Sequence, residues 1–243
     1  MSGPLRPLSI ALSDVCFLHW PVAPAAVRDA LPAWARPDTT DGTAWVSALS
    51  LSIDCFDAFG VPLREHVETV AVRTYVQTPS GDRAVAFLSL DVTDRLVVDA
   101  LRTLFHLPAS HADVRRRRQG GRTEVVSRRR DGGNARLGVT FEPTGTPTTT
   151  APDTLAAFLL DRERYVTTGP LEARLVGSVG HPPWTVQPAD AAVTETTLLD
   201  AAGVDALDGE PLAHYSPGVE MGVGVLEPLS PTTIMNARSL WCL

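Results

Sequence analysis

Apolar and polar residues alternate along most of the chain, and the pattern predicts strands more often than helices. AWVSALSLSI, residues 44–53, alternates like a half-buried strand. VETVAVRTYV, residues 67–76, places Val70, Val72, Thr74 and Val76 on one face. Glu68 shares that face and Arg73 lies on the other. A turn at Ser80-Gly81-Asp82 and the returning run AVAFLSLDV complete a hairpin. Three further strands, ADVRRRR, RTEVVSRRR and ARLGVTFEP, are separated by Gly120-Gly121 and Gly132-Gly133-Asn134 turns. EARLVGSVG reads as one more strand, and PTGTPTTTAP (143–152) as a loop.

Helical spacing is rarer. In DRLVVDALRTLF, residues 94–105, Val97, Ala100, Leu101, Leu104 and Phe105 recur on one face. Thr93 or Asp91 is the expected cap, His106 falls at the C-terminus, and Pro108 lies beyond the stop. Residues 22–31 predict a short helix with Pro24 in its first turn. PDTLAAFLLDRERY, residues 152–165, predicts a third, capped by Thr150 or Asp153. No βαβ rhythm is visible. The expectation is a mainly β or α+β fold with a curved or closed antiparallel sheet and about three helices outside it.

Composition narrows the class. The 243 residues are 44% hydrophobic, enough for one large domain spanning 1–243. No apolar run reaches the roughly 18 residues of a membrane helix, and the N-terminus lacks a signal-peptide pattern, so a cytoplasmic protein is expected. Cys16, Cys55 and Cys242 have no metal-ligand spacing and read as reduced thiols. Six scattered histidines without H-x-H or H-x3-H spacing give no metal site, and no cofactor is expected.

Charge is uneven. The net charge is −7, yet residues 115–130 hold eight arginines and one acid, Glu124; that segment is +7 and the rest is −14. All 21 basic residues are arginine. Without lysine, no side chain can form a Schiff base.

HWPV (19–22), DGTAWV (41–46), E-x4-RTYV (68–76), FLSLDVTDRLVVDALRTLFHLP (87–108), FLLDRERY (158–165) and HPPWTVQPA (181–189) follow one another in order. Together they resemble the YqjF-like family, domain of unknown function 2071, over about residues 14–227. That family is similar to the acetoacetate decarboxylase superfamily. The resemblance implies a closed or cone-shaped β barrel around an internal cavity. It also implies an acidic strand residue at Glu68. Ala109 and Ser110 stand where those decarboxylases carry a lysine pair, so their iminium chemistry is not expected here.

The candidate site residues are therefore polar groups of a pocket. Glu68 and His111 are the candidate acid–base residues, and Arg73, with its planar fork, the anchor for a carboxylate or phosphate. Ser110 is a further candidate ligand contact; adjacent to His111 on a strand, it points to the opposite face, so the two do not form a nucleophilic pair. His19, Trp20, His181 and Trp184 form a candidate rim. The expected ligand is a small anionic organic molecule. In a second reading the Arg115–Arg130 hairpin binds an acidic partner; nucleic acid is disfavoured, because no aromatic residues interleave with the arginines. A self-associating homo-oligomer with an empty pocket is a third.

Overall fold

A computed structural model describes residues 8–59, 61–204, 207 and 209–229; Cys242 lies outside them. The strands are β1 (Leu8–Val22), β2 (Arg36–Pro37), β3 (Ala44–Ala58), β4 (Val61–Gln77), β5 (Arg83–Val92), β6 (Ala109–Gln119), β7 (Arg122–Arg129), β8 (Arg136–Pro143), β9 (Thr148–Thr149), β10 (Arg164–Thr168), β11 (Arg174–Gly180), β12 (Thr185–Glu195) and β13 (Leu212–Pro228). Three helices interrupt them: α1 (Arg95–Leu104), α2 (Leu155–Leu160) and α3 (Thr197–Ala201).

The strands join in one sheet, ordered β2-β4-β3-β1-β13-β11-β10-β5-β6-β7-β8-β12-β9. Two additional pairings, β4–β5 and β13–β12, fold this ribbon back on itself. The first closes a ring of β1, β3, β4, β5, β10, β11 and β13. The second encloses another space between β1, β3, β4 and β5 on one side and β6, β7, β8 and β12 on the other. A wall of four strands thus has an interior on both faces, and its centre reads as unbroken apolar sequence, as in Val15–Leu18.

The two faces carry different cores. Cys16, Leu18 and Trp20 of β1, Val46 and Ala48 of β3, and Val70 and Val72 of β4 pack in one. Val15 and Phe17, Leu49 and Leu51, and Ala71 and Tyr75 pack in the other. Simple alternation holds in the middle of the wall and is reset at its ends by bulges. On β1 the second core takes Leu8, Ile10 and Leu12, then Val15 and Phe17, because one extra residue enters between Ser13 and Cys16. On β3 the extra residue is Asp54, between Ile53 and Phe56. On β5 it is Leu88, between Phe87 and Leu90. Each bulge moves the following side chains to the opposite face. Two are tied down by side chains: the Ser13 hydroxyl donates to Asp54 Oδ1 at 2.7 Å, and Tyr215 donates to Asp14 Oδ1 at 2.7 Å.

Several local expectations are corrected. Asp94 caps α1, accepting from the Leu96 and Val97 amides at 2.8 and 3.0 Å, because its extended backbone precedes the first turn. Asp91 is buried elsewhere, and Leu104 is exposed. β5, α1 and β6 form a βαβ crossover with parallel pairing that no rhythm in the sequence reveals. Residues 22–31 hold only a 3-10 turn at Pro24–Val27, followed by i to i+3 bonds. The predicted third helix ends at Leu160, and Arg164–Thr168 pairs with β5 and β11. Its cap is Thr154, whose hydroxyl accepts from the Ala157 amide. α3 supplies the fully buried Leu198 and Leu199.

Candidate functional site

The second core is not filled. A cavity of about 190 Å³ runs through it, lined by β1, β3, β4, β5, β13, α1 and the segments around Arg162–Tyr165 and His181–Trp184. Its lining is apolar apart from a few side chains, chiefly Thr69, Arg73, Arg162, Tyr165, His181 and Trp184.

Arg73 stands on the odd-numbered face of β4 with Thr69, Ala71 and Tyr75. Its Nη2 donates to the Leu159 carbonyl at 2.8 Å, and Tyr75 OH donates to the same oxygen at 2.9 Å. That carbonyl belongs to the last turn of α2 and has no partner within the helix, so it accepts these donors at the negative end of the helix. The bonds fix a chain of donors. Because Tyr75 OH is spent on Leu159, its oxygen accepts from Ser47 at 2.6 Å, and Ser47 accepts from His19 Nδ1 at 2.6 Å. His19 therefore carries its proton on Nδ1, and its buried Nε2 has no partner. Burial, the neighbouring His214 and the Arg73 charge hold the His19 pKa well below 6.5, so the ring is neutral.

Four arginines reach the interior of the described residues. Arg162 donates to Asp38 at 2.8 Å, Arg129 to Asp91 at 2.8 and 2.9 Å, and Arg116 to Glu68 at 3.0 Å. Arg73, 8% exposed, has no carboxylate partner among the described residues. It makes the one bond to Leu159 and lies 5.9 and 5.8 Å from the Phe17 and Tyr75 ring centres, and its Nε is unpartnered. Thr69 Oγ1, Tyr165 OH and Trp184 Nε1, on side chains lining the same cavity, are also buried without partners. Burial pushes the Tyr165 phenol pKa up, so it remains a protonated donor. Gly177 makes room for this ring, since a Cβ there would collide with it.

The structure separates the residues expected in one pocket. Arg73, His181 and Trp184 line the cavity. Glu68 lies on the opposite face of β4, where Ser52 donates to it at 2.6 Å and Arg116 holds its other oxygen. His111 is half-buried on β6, off the cavity lining; its amide donates to Asp131 at 3.1 Å. Ser110 pairs in register with Asp91, also off the lining, while Ala109 packs in the cavity-side core. Trp20 belongs to the filled core, and fully buried His19 touches the cavity only through its network. Glu68 keeps the face opposite Arg73 that strand alternation assigns it, and that face looks into the other interior.

Within the arginine cluster, Arg116 and Arg129 point inward and are neutralised there, whereas Arg115, Arg117, Arg118, Arg122, Arg128 and Arg130 are exposed. Cys16 is buried, which pushes its thiol up to about 12, and Cys55 is unpaired. Among the described residues no three His, Cys, Asp or Glu side chains are grouped to hold a metal, and no helix is long and apolar enough to cross a membrane.

Sequence reasoning missed Thr69, Tyr75, Tyr165 and Ser47. The odd positions of β4, Thr-Ala-Arg-Tyr against a Val-rich even face, carried a signal for the first two. Tyr165 was hidden by reading RERY as helix.

A family model described as an uncharacterized conserved protein, domain of unknown function 2071, matches residues 9–220. The uncharacterized protein YqjF of Bacillus subtilis (strain 168) is 33% identical over 207 residues, covering 84% of this chain and 85% of that protein. Solved structures share the fold at low identity. The enduracididine biosynthesis enzyme MppR complexed with pyruvate has a TM-score of 0.66 at 14% identity, over 95% of this chain and 92% of that one. The acetoacetate decarboxylase of Legionella pneumophila subsp. pneumophila str. Philadelphia 1 has a TM-score of 0.64 at 9% identity, with the same coverage.

Proposed function

The chain belongs to the domain of unknown function 2071 family and has an acetoacetate decarboxylase-like fold, and from this premise we propose that it binds a small organic anion in the cavity beside Arg73. One observation carries the reading: of the interior arginines, Arg73 alone has no carboxylate among the described residues. A buried guanidinium without a counter-charge is costly, and a ligand anion removes that cost. Trp184 Nε1 and Tyr165 OH are neutral donors for the same head group, and His181 stands beside Trp184, ring centres 5.5 Å apart. MppR, of the same fold, is complexed with pyruvate, a small carboxylate, which agrees with an anion in this cavity.

The reading does not include iminium decarboxylation. The chain has no lysine, and the resemblance aligns Ala109 and Ser110 with the amine pair. Glu68 and His111 drop out of the proposed chemistry because neither lines the cavity. Native mass spectrometry of the purified protein tests the anchor. A bound organic anion is expected on the wild type and absent from Arg73→Met; the same adduct on both proteins would sink the assignment.

A further inference from the structure

Arg73 occupies one part of a much longer space. The register of β3 against β4 orders the lining: Ser47 stands opposite Arg73, Leu49 opposite Ala71, Leu51 opposite Thr69 and Ile53 opposite Val67. Farther along, Ile10 stands opposite Phe56. From Ser47 to Phe56 the strand advances about 30 Å at ~3.3 Å per residue. Arg73, Ile10 and Phe56 line the same cavity of about 190 Å³, so the space is long and narrow.

Its two ends differ in chemistry. Arg73 and, across the Phe17 ring, Trp184 mark one end with unpartnered polar atoms, and Thr69 adds one two residues along β4. Toward the other the walls are Leu12, Ile53, Ile10, Phe56, Leu8 and Met221, all half-buried, so this end forms an apolar lip. Beyond it, the β3–β4 hairpin exposes Phe59, Val61 and Leu63. Among the described lining residues Arg73 is the cation without a carboxylate: Arg162, although its Nη2 is unpartnered, is held by Asp38, and Arg164 pairs with Asp82 at 3.1 Å.

We infer that the ligand class is an amphipathic monocarboxylate, an unbranched acyl chain whose head meets Arg73 and whose tail runs toward Ile10 and Phe56. This rests on the Arg73 reading and adds the tail to it. A single cation suits one carboxylate, a narrow apolar channel suits an extended hydrocarbon, and the lip gives that hydrocarbon an apolar way in.

Calorimetric titration with acetate, butyrate, hexanoate, octanoate, suberate and octanol tests the inference. Affinity should rise about fourfold for each added methylene up to octanoate. Suberate, with a second carboxylate in the apolar part, and octanol, without any, should each bind at least tenfold more weakly than octanoate. Ala71→Leu, which narrows the cavity about 7 Å along the strand from Arg73, should weaken octanoate and spare butyrate. Acetate binding as tightly as octanoate would overturn the tail and leave the Arg73 anchor standing. Octanol matching octanoate, or no acid binding at all, would overturn the anchor and the inference with it.

Discussion

One wall of strands faces two interiors, and the two treat arginine differently. On the filled side, Arg129 and Arg116 each meet a carboxylate, and Asp91, fully buried, also accepts from Ser127 at 3.1 Å. Small and β-branched side chains close the space around them. On the cavity side Arg73 meets one carbonyl and two aromatic rings, and hydroxyl and indole groups nearby are left without partners. The difference separates a charge that completes a core from a charge that is waiting for company. Stability favours the first arrangement, because each arginine there is neutralised by a carboxylate of the chain itself. The second has no counter-charge among the described residues, and on the reading proposed above a ligand anion completes it.

The comparison can be broken in three places. The largest effect is expected on the filled side. Asp91→Ala strands Arg129 in the interior and should cost about 3 kcal/mol, read as a lower urea midpoint. A loss under about 1 kcal/mol would mean that Arg129 reaches water and the filled side is not self-sufficient. The next effect concerns the network between the two histidines and Leu159. His19 has a folded pKa well below 6.5, so its contribution is whole above pH 6.5 and is lost as the pH falls below that value. The slope is about 1.4 kcal/mol per pH unit, or about 2 kcal/mol between pH 6.5 and 5. Thermal melts of His19→Gln across this range should lose most of the slope; His214, whose pKa burial also lowers, supplies the remainder. An unchanged slope would place the titration elsewhere. The smallest effect is the most telling. Arg73→Met should shift the stability of the ligand-free protein by less than about 1 kcal/mol, because an uncompensated charge leaves together with its single hydrogen bond. A loss as large as that of Asp91→Ala would make Arg73 a structural residue like its paired neighbours.

The sequence made the strand content and the arginine hairpins legible because period-two patterning survives wherever one residue faces in and the next faces out. It also singled out Arg73 and the HPPW segment, which do line the cavity. It failed where two interiors share a strand. Alternation already puts Glu68 and Arg73 on opposite faces of the strand; the family resemblance brings Glu68 into the pocket, and the opposite face is a second interior rather than the same one. Tyr165 was read as helical because its run follows α2 without proline or glycine, and only pairing with β5 and β11 turns it into a strand. The bulges at Asp14, Asp54 and Leu88 leave no mark in hydrophobic periodicity, so the residues beyond them could not be assigned to a face.

Those bulges carry a consequence for how the family can diversify. Replacing one apolar residue by another in the wall alters one room of the molecule. Inserting or deleting a single residue there exchanges the contents of both rooms for every position up to the next correction. The wall is thus forgiving of spelling and strict about length, and new ligand preferences are reached most readily by substitution along β1, β3 and β4, with changes of length left to the hairpin tips.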